Sequence, residues 1–548
     1  MSRQLIARAE VFIIVALACA PLFIHLPYRV NIFLSWEGAY RMSRGQLPFR
    51  DFGIPLGGMY WVIPAIFFRI FGPAMITLVK AQVFINIVSG LAFRSILRSL
   101  AVNPGIRLAS VLLFCLSYSF FNFWPWYNHS VIVYELIGLA FLFRWLRDEH
   151  ASDGGRYRIA WLAGAAFFIV CSFLTKQDGG GLAFALGCWI LAVDGILRRS
   201  WKGLAAFIVS WVVLLMVIIL PFLSHGFGYW FNHGQAPHSS RVSLFDILNE
   251  LFGYSQWIKF YVFLIVLLAV VRWRSAAAFR SDKTVVLLVA LTLGILGEAA
   301  VLQVTSYTPP DNNIFFHSFA FACVFTLLAP LLPVPAERRG MVVVLTAGIV
   351  LWWSGVWWNY TQRIVQRFLP ARQVATVSPT GENVVNKDTY MINRDTTKDY
   401  PQDKWVECGL PVFRKIRMPE PTAEGIHRLM DMDLIRRHPA DLRVLNMSEL
   451  TPLAEAVPFQ LEKNPRLPLW YHLGVGMFNR QADSFETRIR DHFYDLVLFE
   501  YIPGLNNFYP FRVRDSLRVH YNQVDSFPAP RRGTETAGVI EVFVRPAP

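Results

Sequence analysis

Of the chain's 548 residues, 54% are hydrophobic and 16% charged, a balance that a water-soluble domain with a polar shell does not carry. The net charge of +14 would suit a nucleic-acid binder in a soluble protein. Many of the Arg and Lys residues, however, fall in short gaps between apolar runs, where they orient membrane segments, so nucleic acid is excluded as a partner. Five cysteines (Cys19, Cys115, Cys171, Cys188, Cys323) lie in apolar segments and only Cys408 in the polar tail, which excludes a disulfide scaffold. The expected fold is mainly α: a polytopic membrane helix bundle followed by a polar domain.

The first apolar run follows Arg3 and Arg8, lacks a small-residue cleavage site and leads into further spans, so it reads as an uncleaved first helix. Candidate spans follow at 10–27, 74–99, 106–122, 130–146, 159–175, 180–197, 203–223, 257–273, 284–304, 314–333 and 341–358, each near the roughly 20 residues a bilayer requires. The segment 57–72 is apolar but short, opens with Gly57 and Gly58, and contains Pro64 and Arg69; it is expected to lie in the interface. If it does not cross, five basic clusters share the side of Arg3 and Arg8: Arg94 to Arg107, Arg144 to Arg158, Arg198 to Lys202, Arg272 to Lys283, and Arg338 with Arg339. About eleven helices then cross. The expected domains are 1–358 in the membrane, with a first outer loop at 28–73, and 359–548 outside. The amino terminus is expected to be cytoplasmic and the membrane to be a bacterial inner (plasma) membrane.

That topology gathers unusual polar residues on the outer face, where they are costly unless they function. The first such stretch is LSWEGAYRMSRGQLPFRDFGIP, residues 34–55. Ser35 is expected to cap a short helix ending at Gly45. On it Glu37, Arg41 and Arg44 fall at i, i+4 and i+7, one face, and Arg50 and Asp51 follow the turn. A carboxylate supplies a general base for an acceptor hydroxyl, and guanidiniums supply charge for a departing phosphate. The same spacing also fits an interfacial ion pair worth a fraction of a kcal/mol.

An acidic residue in a WEGAY box, then GQLPFRDF (45–52) and a Pro/Gly-bounded amphipathic helix ending at Phe71 and Gly72, resembles the first outer loop of the C-type (GT-C) membrane glycosyltransferases. The likeness is to the bacterial branch resembling protein O-mannosyltransferases and the aminoarabinose transferase of lipid A, and the loop match covers residues 31–72. It implies a catalytic carboxylate in this loop and a donor sugar carried on a polyprenyl phosphate. Many members show an Asp-Glu pair in the box, whereas Trp36 precedes Glu37 here. The base is therefore Glu37 or Asp51.

In TKQDGG, Lys176, Gln177 and Asp178 precede a glycine run; a tight turn accounts for the glycines, while a Lys-Gln element that recurs in the resembling proteins implies contact with a lipid phosphate. Lys80, one or two turns into the second span, either snorkels or meets phosphate. Arg41 and Arg44 join these two lysines as candidate phosphate ligands. Tyr40, Arg50, Asn128, His129, Gln177, Asp178 and Tyr307 are candidate substrate contacts, with capping the alternative for Asn128. His225, His233 and His238 lack compact metal spacing, Asp311 to Asn313 read as a turn, and Glu298, late in a span, calls for a structural partner. No Walker loop or dinucleotide motif occurs, so no cofactor and no metal are expected.

In the tail the pattern predicts helices at 424–438 and 512–521 and strands at 443–450, 494–502 and 538–546, a small α/β domain. Aromatic and Asn residues in 468–474 and 504–510 suit carbohydrate as well as packing. The resulting expectation is a metal-independent, inverting transfer of one sugar from a polyprenyl phosphate to a glycolipid, polysaccharide or protein acceptor. A transporter or flippase, or a noncatalytic subunit of polysaccharide assembly, is the alternative; it is weakened by the absence of an internal repeat and by charges at the rim rather than the midplane.

Overall fold

The computed structural model describes residues 2–28, 32–54, 57–118, 120, 122–148, 158–225, 227, 244–249, 251, 255–306, 314–331, 337–352, 361, 364, 404–437, 442–457, 461–468, 478–502, 510–530 and 538–547. Helix α1 (Arg3–Cys19) starts where Ser2 accepts from the Leu5 amide. The first loop then holds strand β1 (Leu26–Pro27), α2 (Ile32–Ser43), β2 (Phe52–Gly53) and α3 (Val62–Phe71). Ten residues of α3 span about 15 Å, half a bilayer core, so the predicted interfacial segment is too short to cross. Its Ile66, Ile70 and Phe71 are exposed while Pro64, Ala65 and Phe68 are buried, as an amphipathic helix requires.

The bundle continues with α4 (Met75–Ser99), α5 (Pro104–Ser117), α6 (Tyr127–Asp148), α7 (Arg158–Phe173), α8 (Gln177–Arg198), α9 (Lys202–Ile219) and the short α10 (Leu244–Asn249). It closes with α11 (Gln256–Arg272), short α12 (Ala276–Ser281), α13 (Lys283–Ser306), α14 (Ile314–Leu328) and α15 (Arg339–Trp352). Each of the eleven predicted spans overlaps one of α1, α4 to α9, α11 and α13 to α15. Six helical stretches are long and apolar enough to cross a membrane: Arg3–Phe23, Met75–Ser99, Tyr127–Arg147, Gln177–Arg198, Lys202–Phe222 and Lys283–Thr305. The outward apolar side chains of α9 and α11, such as Val209, Val217, Phe260 and Phe263, are exposed, which a bilayer makes favourable.

Inside, α5 packs against α1, α4, α14 and α15. Phe93 stacks on Phe114 at 4.5 Å, and Phe319 meets Phe93 edge-on at 4.9 Å. At one end of the bundle the wholly buried Glu10 takes Arg94 at 2.6 Å and Arg107 at 2.7 Å, tying the start of α1 to the end of α4 and the beginning of α5. Arg198 pairs with Asp194 at 2.7 Å and reaches the Leu146 carbonyl at that same arginine-rich end. The opposite end carries the first loop.

Beyond the bundle, β3 (Trp405–Glu407), β4 (Ile416–Pro419), β5 (Val444–Met447), β6 (Asn464–Pro468), β7 (Leu496–Tyr501), β8 (Asn522–Pro528) and β9 (Val539–Val544) form three sheets. The largest has the order β5-β7-β9-β8, with β5 and β7 parallel and the other two pairs antiparallel. Alternation sorts its side chains: Val497, Phe499 and Phe543 face the helices Phe478–Arg490 and Phe511–His520, while Leu496, Leu498, Ile540 and Val542 face the helix Glu420–Met430 and the first loop. The strands expected near 443, 494 and 538 are present. The helix expected over 424–438 is two, Glu420–Met430 and Asp433–Arg437. Strand β8 was not anticipated; its NQVDSFP is mostly exposed and lacks an apolar alternation. All six cysteines are unpaired.

The first loop belongs to both parts. β1 pairs with β4, and β2 pairs with β6, each in parallel. Tyr28, Phe33, Phe52 and Trp61 share one apolar core with Phe413, Ile426, Leu453 and Leu496, and this continuity fixes the C-terminal region over the loop end.

Candidate active site

Helix α2 is held by contacts its sequence does not announce. Ser35 lies inside it rather than at its cap, because the helix begins at Ile32; its hydroxyl donates to the Pro125 carbonyl at 2.6 Å, pinning α2 to the approach of α6. The Trp61 indole occupies the space a Cβ on Gly38 would need, and its Nε1 donates to the Leu34 carbonyl at 2.8 Å. With that face of α2 on the segment around Trp61, the face bearing Glu37, Tyr40, Arg41 and Arg44 turns toward the C-terminal region.

Arg41 organises this face. Its Nε donates to Glu37 Oε1 at 3.0 Å while Nη2 lies 2.9 Å from the same oxygen in an ion pair, and its Nη1 donates to Gln46 Oε1 at 3.0 Å and the Glu462 carbonyl at 2.8 Å. Glu37 Oε2 has no partner among the described residues, and the side chain keeps 14% of its surface. Burial pushes the Glu37 carboxyl above its ordinary range, outweighing the charge and hydrogen bonds of Arg41. Arg44 pairs with Glu455 at 2.7 Å, and Tyr40, stacked on Trp36, donates to the same carboxylate at 2.9 Å. Burial first, then Glu455, pushes the Tyr40 phenol up to about 12.

Asp51 is occupied differently. Its Oδ2 accepts from the Leu47 amide at 2.8 Å and from Arg50 Nε and Nη2 at 3.0 and 2.6 Å, closing a turn in which Phe49 adopts φ +67°. Burial works to raise its carboxyl, but Arg50, the Leu47 amide and the charge of Lys463 outweigh it and hold the group below the usual carboxylate range. Arg50 itself is largely exposed and also reaches the Gly45 carbonyl.

The Lys-Gln-Asp element meets the first loop directly. The amides of Gly57 and Met59 donate to the carbonyls of Thr175 and Leu174 at 3.2 and 3.4 Å, and Gly57 lies so close to the Leu174 carbonyl that no Cβ fits. Lys176, buried at the start of α8, pairs with Asp178 at 3.0 Å and stands 5.9 Å from the Tyr127 ring. Asp178 Oδ1 accepts from the Gly179 amide, and Gln177 opens the helix half-buried. Tyr60 lies 6.1 Å from Tyr127 and 4.7 Å from Trp61. The Tyr60 hydroxyl and Asn128 Oδ1 are buried without a hydrogen-bond partner among the described residues, as polar groups awaiting a ligand would be.

His129 sits beside Asn122 at 3.0 Å, and its carbonyl accepts from Tyr118. Lys80 stands over the Phe71 ring at 4.7 Å, at the junction of α3 and α4. The structure therefore separates the predicted cations: Arg41 and Arg44 serve the C-terminal region, Lys176 the loop junction, Lys80 the end of α3. Tyr307, His233, His238 and Asp311 to Asn313 lie outside the described residues.

The carboxyl expected to need a partner, Glu298, lies near Glu135, and both its oxygens are buried with no hydrogen-bond partner among the described residues. Glu135 is eight residues from the first residue of α6 and Glu298 eight from the last of α13, about 12 Å below the loop end. Neither Glu135 nor Tyr60 stood out in the sequence, though a carboxylate inside the apolar run 130–146 is itself a signal.

No family model matches the chain, and no curated protein matches it in sequence. Among solved structures, the cryo-EM structure of the arabinofuranosyltransferase AftD from Mycobacteria is similar at 14% identity and a TM-score of 0.46; all of this chain is covered, and it spans 40% of that chain's length. ArnT from Cupriavidus metallidurans bound to undecaprenyl phosphate is similar at 11% identity and a TM-score of 0.48, over 100% of this chain and 99% of the other. Its apo form gives 12% identity and a TM-score of 0.44, over 96% of each.

Proposed function

We propose that the protein is an integral membrane glycosyltransferase that moves a sugar from a polyprenyl phosphate to a hydroxyl acceptor on the loop end of the bundle, outside the cytoplasm. The carrying observation is Glu37: a mostly buried carboxylate whose Oε1 is steadied by Arg41 while Oε2 stays open. Burial raises its basicity toward the working pH, as a general base needs. Asp51, saturated by Arg50 and Leu47, is the poorer base and serves as the keystone of the 47–51 turn.

In the proposed step Glu37 Oε2 takes the acceptor hydroxyl proton as its oxygen attacks the anomeric carbon. The bond from that carbon to the phosphate oxygen breaks on the opposite face, inverting the centre, and the lipid phosphate departs with the electron pair. Lys176 is the cation built for that charge, since it is buried beside the unpartnered Tyr60 and Asn128 and close to the first loop. Lys80 stands at the membrane rim where the lipid chain would arrive. Tyr40, Arg41 and Arg44 hold α2 against the C-terminal region and position Glu37.

The test is turnover of a radiolabelled polyprenyl phosphate sugar by the purified protein. Glu37→Gln is expected to lower kcat by at least about 100-fold with donor binding retained, and Asp51→Asn to cost far less. Full turnover by Glu37→Gln would remove the base and the proposal with it.

A further inference from the structure

The arginine-rich end of the bundle carries a second cavity. Where α11 ends, Arg272, Trp273 and Arg274 lead into α12, and together with the end of α14 they enclose about 600 Å³. Leu268 and Val271 of α11, and Leu327 and Leu331 at the end of α14, form its apolar wall, and the two arginines line its rim. On the other flank of α11 lies an apolar slot of about 330 Å³ between α11, α12 and α13. Trp273 lines both spaces, and its Nε1 donates to Asp282 at 3.2 Å.

Charge at this rim is unbalanced. Asp282 takes Arg272 at 2.6 Å. Arg274 is exposed, with no ion pair among the described residues. Two arginines and one carboxylate thus line this cavity, a net positive charge.

We propose that this rim and its two flanking slots bind one two-chain anionic phospholipid, its phosphate on Arg274 and one acyl chain on each side of α11. A basic pocket between membrane helices attracts an anionic headgroup. Two apolar slots sharing a tryptophan match a diacyl tail, which a soluble anion would leave empty. The cationic excess opposes the choline ammonium of a zwitterionic lipid. The inference is independent of the glycosyltransferase reading, since it concerns the opposite end of the molecule.

The full-length protein in neutral detergent is titrated with phosphatidylglycerol or phosphatidylcholine of identical chains, and bound lipid is read by native mass spectrometry. Phosphatidylglycerol is expected to bind at least about tenfold more tightly, a difference of about 1.4 kcal/mol. Arg274→Glu is expected to erase the preference and Arg274→Lys to keep most of it. Val271→Trp, which fills the larger slot, is expected to weaken both lipids, and glycerol 3-phosphate to displace neither. Equal binding of the two lipids by the unsubstituted protein would overturn the proposal. So would an Arg274→Glu variant that retains the preference, or displacement by glycerol 3-phosphate. Arg274 is exposed, so its substitution should leave the lipid-free unfolding midpoint unchanged; were the midpoint to fall, Val271→Trp would decide, and unchanged lipid binding there would refute the site.

Discussion

Replacing Arg41 by Met removes the one ionic partner that Glu37 has among the described residues, while nearly preserving side-chain volume. A charge-assisted hydrogen bond at 3.0 Å and an ion-pair contact at 2.9 Å disappear from a carboxylate that burial already disfavours. A unit charge pair at 4 Å is worth about 4 kcal/mol at an effective dielectric of ~20, which is a ceiling here because Glu37 keeps some solvent. Without that opposite charge beside it, the Glu37 carboxyl should rise further still. Because the proposed base works ionised, activity falls as pH drops through this pKa, and the acidic limb of the kcat/KM profile should move to higher pH in the variant. The loss is then large near the limb and small well above it. Stability follows the same sign: with its folded pKa raised, Glu37 contributes stability that is present below its unfolded pKa and lost as pH rises through the folded value. Because Arg41 also holds the Glu462 carbonyl, Arg41→Lys is the control. It keeps the charge, so its limb should stay near that of the parent even if its midpoint drops. The assay is donor turnover across pH for the three proteins, and an acidic limb at the same pH in all three would refute Glu37 as the titrating base.

Asp51→Asn loses the carboxylate that binds Arg50 and the Leu47 amide. Its thermal midpoint should fall at neutral pH and converge with the parent on acidification, because a carboxyl with a lowered folded pKa contributes stability above its unfolded pKa and forfeits it as pH falls through the folded value; parallel scans at neutral and acidic pH check this. At the buried pair, Glu298→Gln keeps the side-chain volume and polarity beside Glu135 and should be nearly neutral. Glu298→Ala should cost about 2–4 kcal/mol through the cavity and the abandoned carboxyl, read as the difference in unfolding midpoints in detergent.

Much of the bundle is legible from local pattern alone. Apolar runs of span length become helices whatever their neighbours, since their backbone groups are satisfied within the segment. Gly57, Gly58, Pro64 and Arg69 mark the apolar stretch expected to lie in the interface, which forms the short helix α3. The short apolar run LVLFEY announces β7, which is buried on both faces and presents successive residues to different cores. The face shared by Glu37, Arg41 and Arg44 is equally readable, because i, i+4 and i+7 depend only on the helix.

What that face meets is another matter. Arg44 finds Glu455, and Arg41 the Glu462 carbonyl, partners more than 400 positions away that no periodicity connects. Ser35 carries the marks of a cap yet lies within α2, because Pro125 offers its hydroxyl a carbonyl and the helix starts earlier. Glu37 and Asp51 look alike in sequence; burial raises the first, and Arg50 with a turn amide lowers the second. Helix, strand and span follow from residue type and spacing because they are made by neighbours in the chain. The choice of base and the coupling of loop to C-terminal region follow from desolvation and from pairings made by neighbours in space, and only the folded chain supplies those.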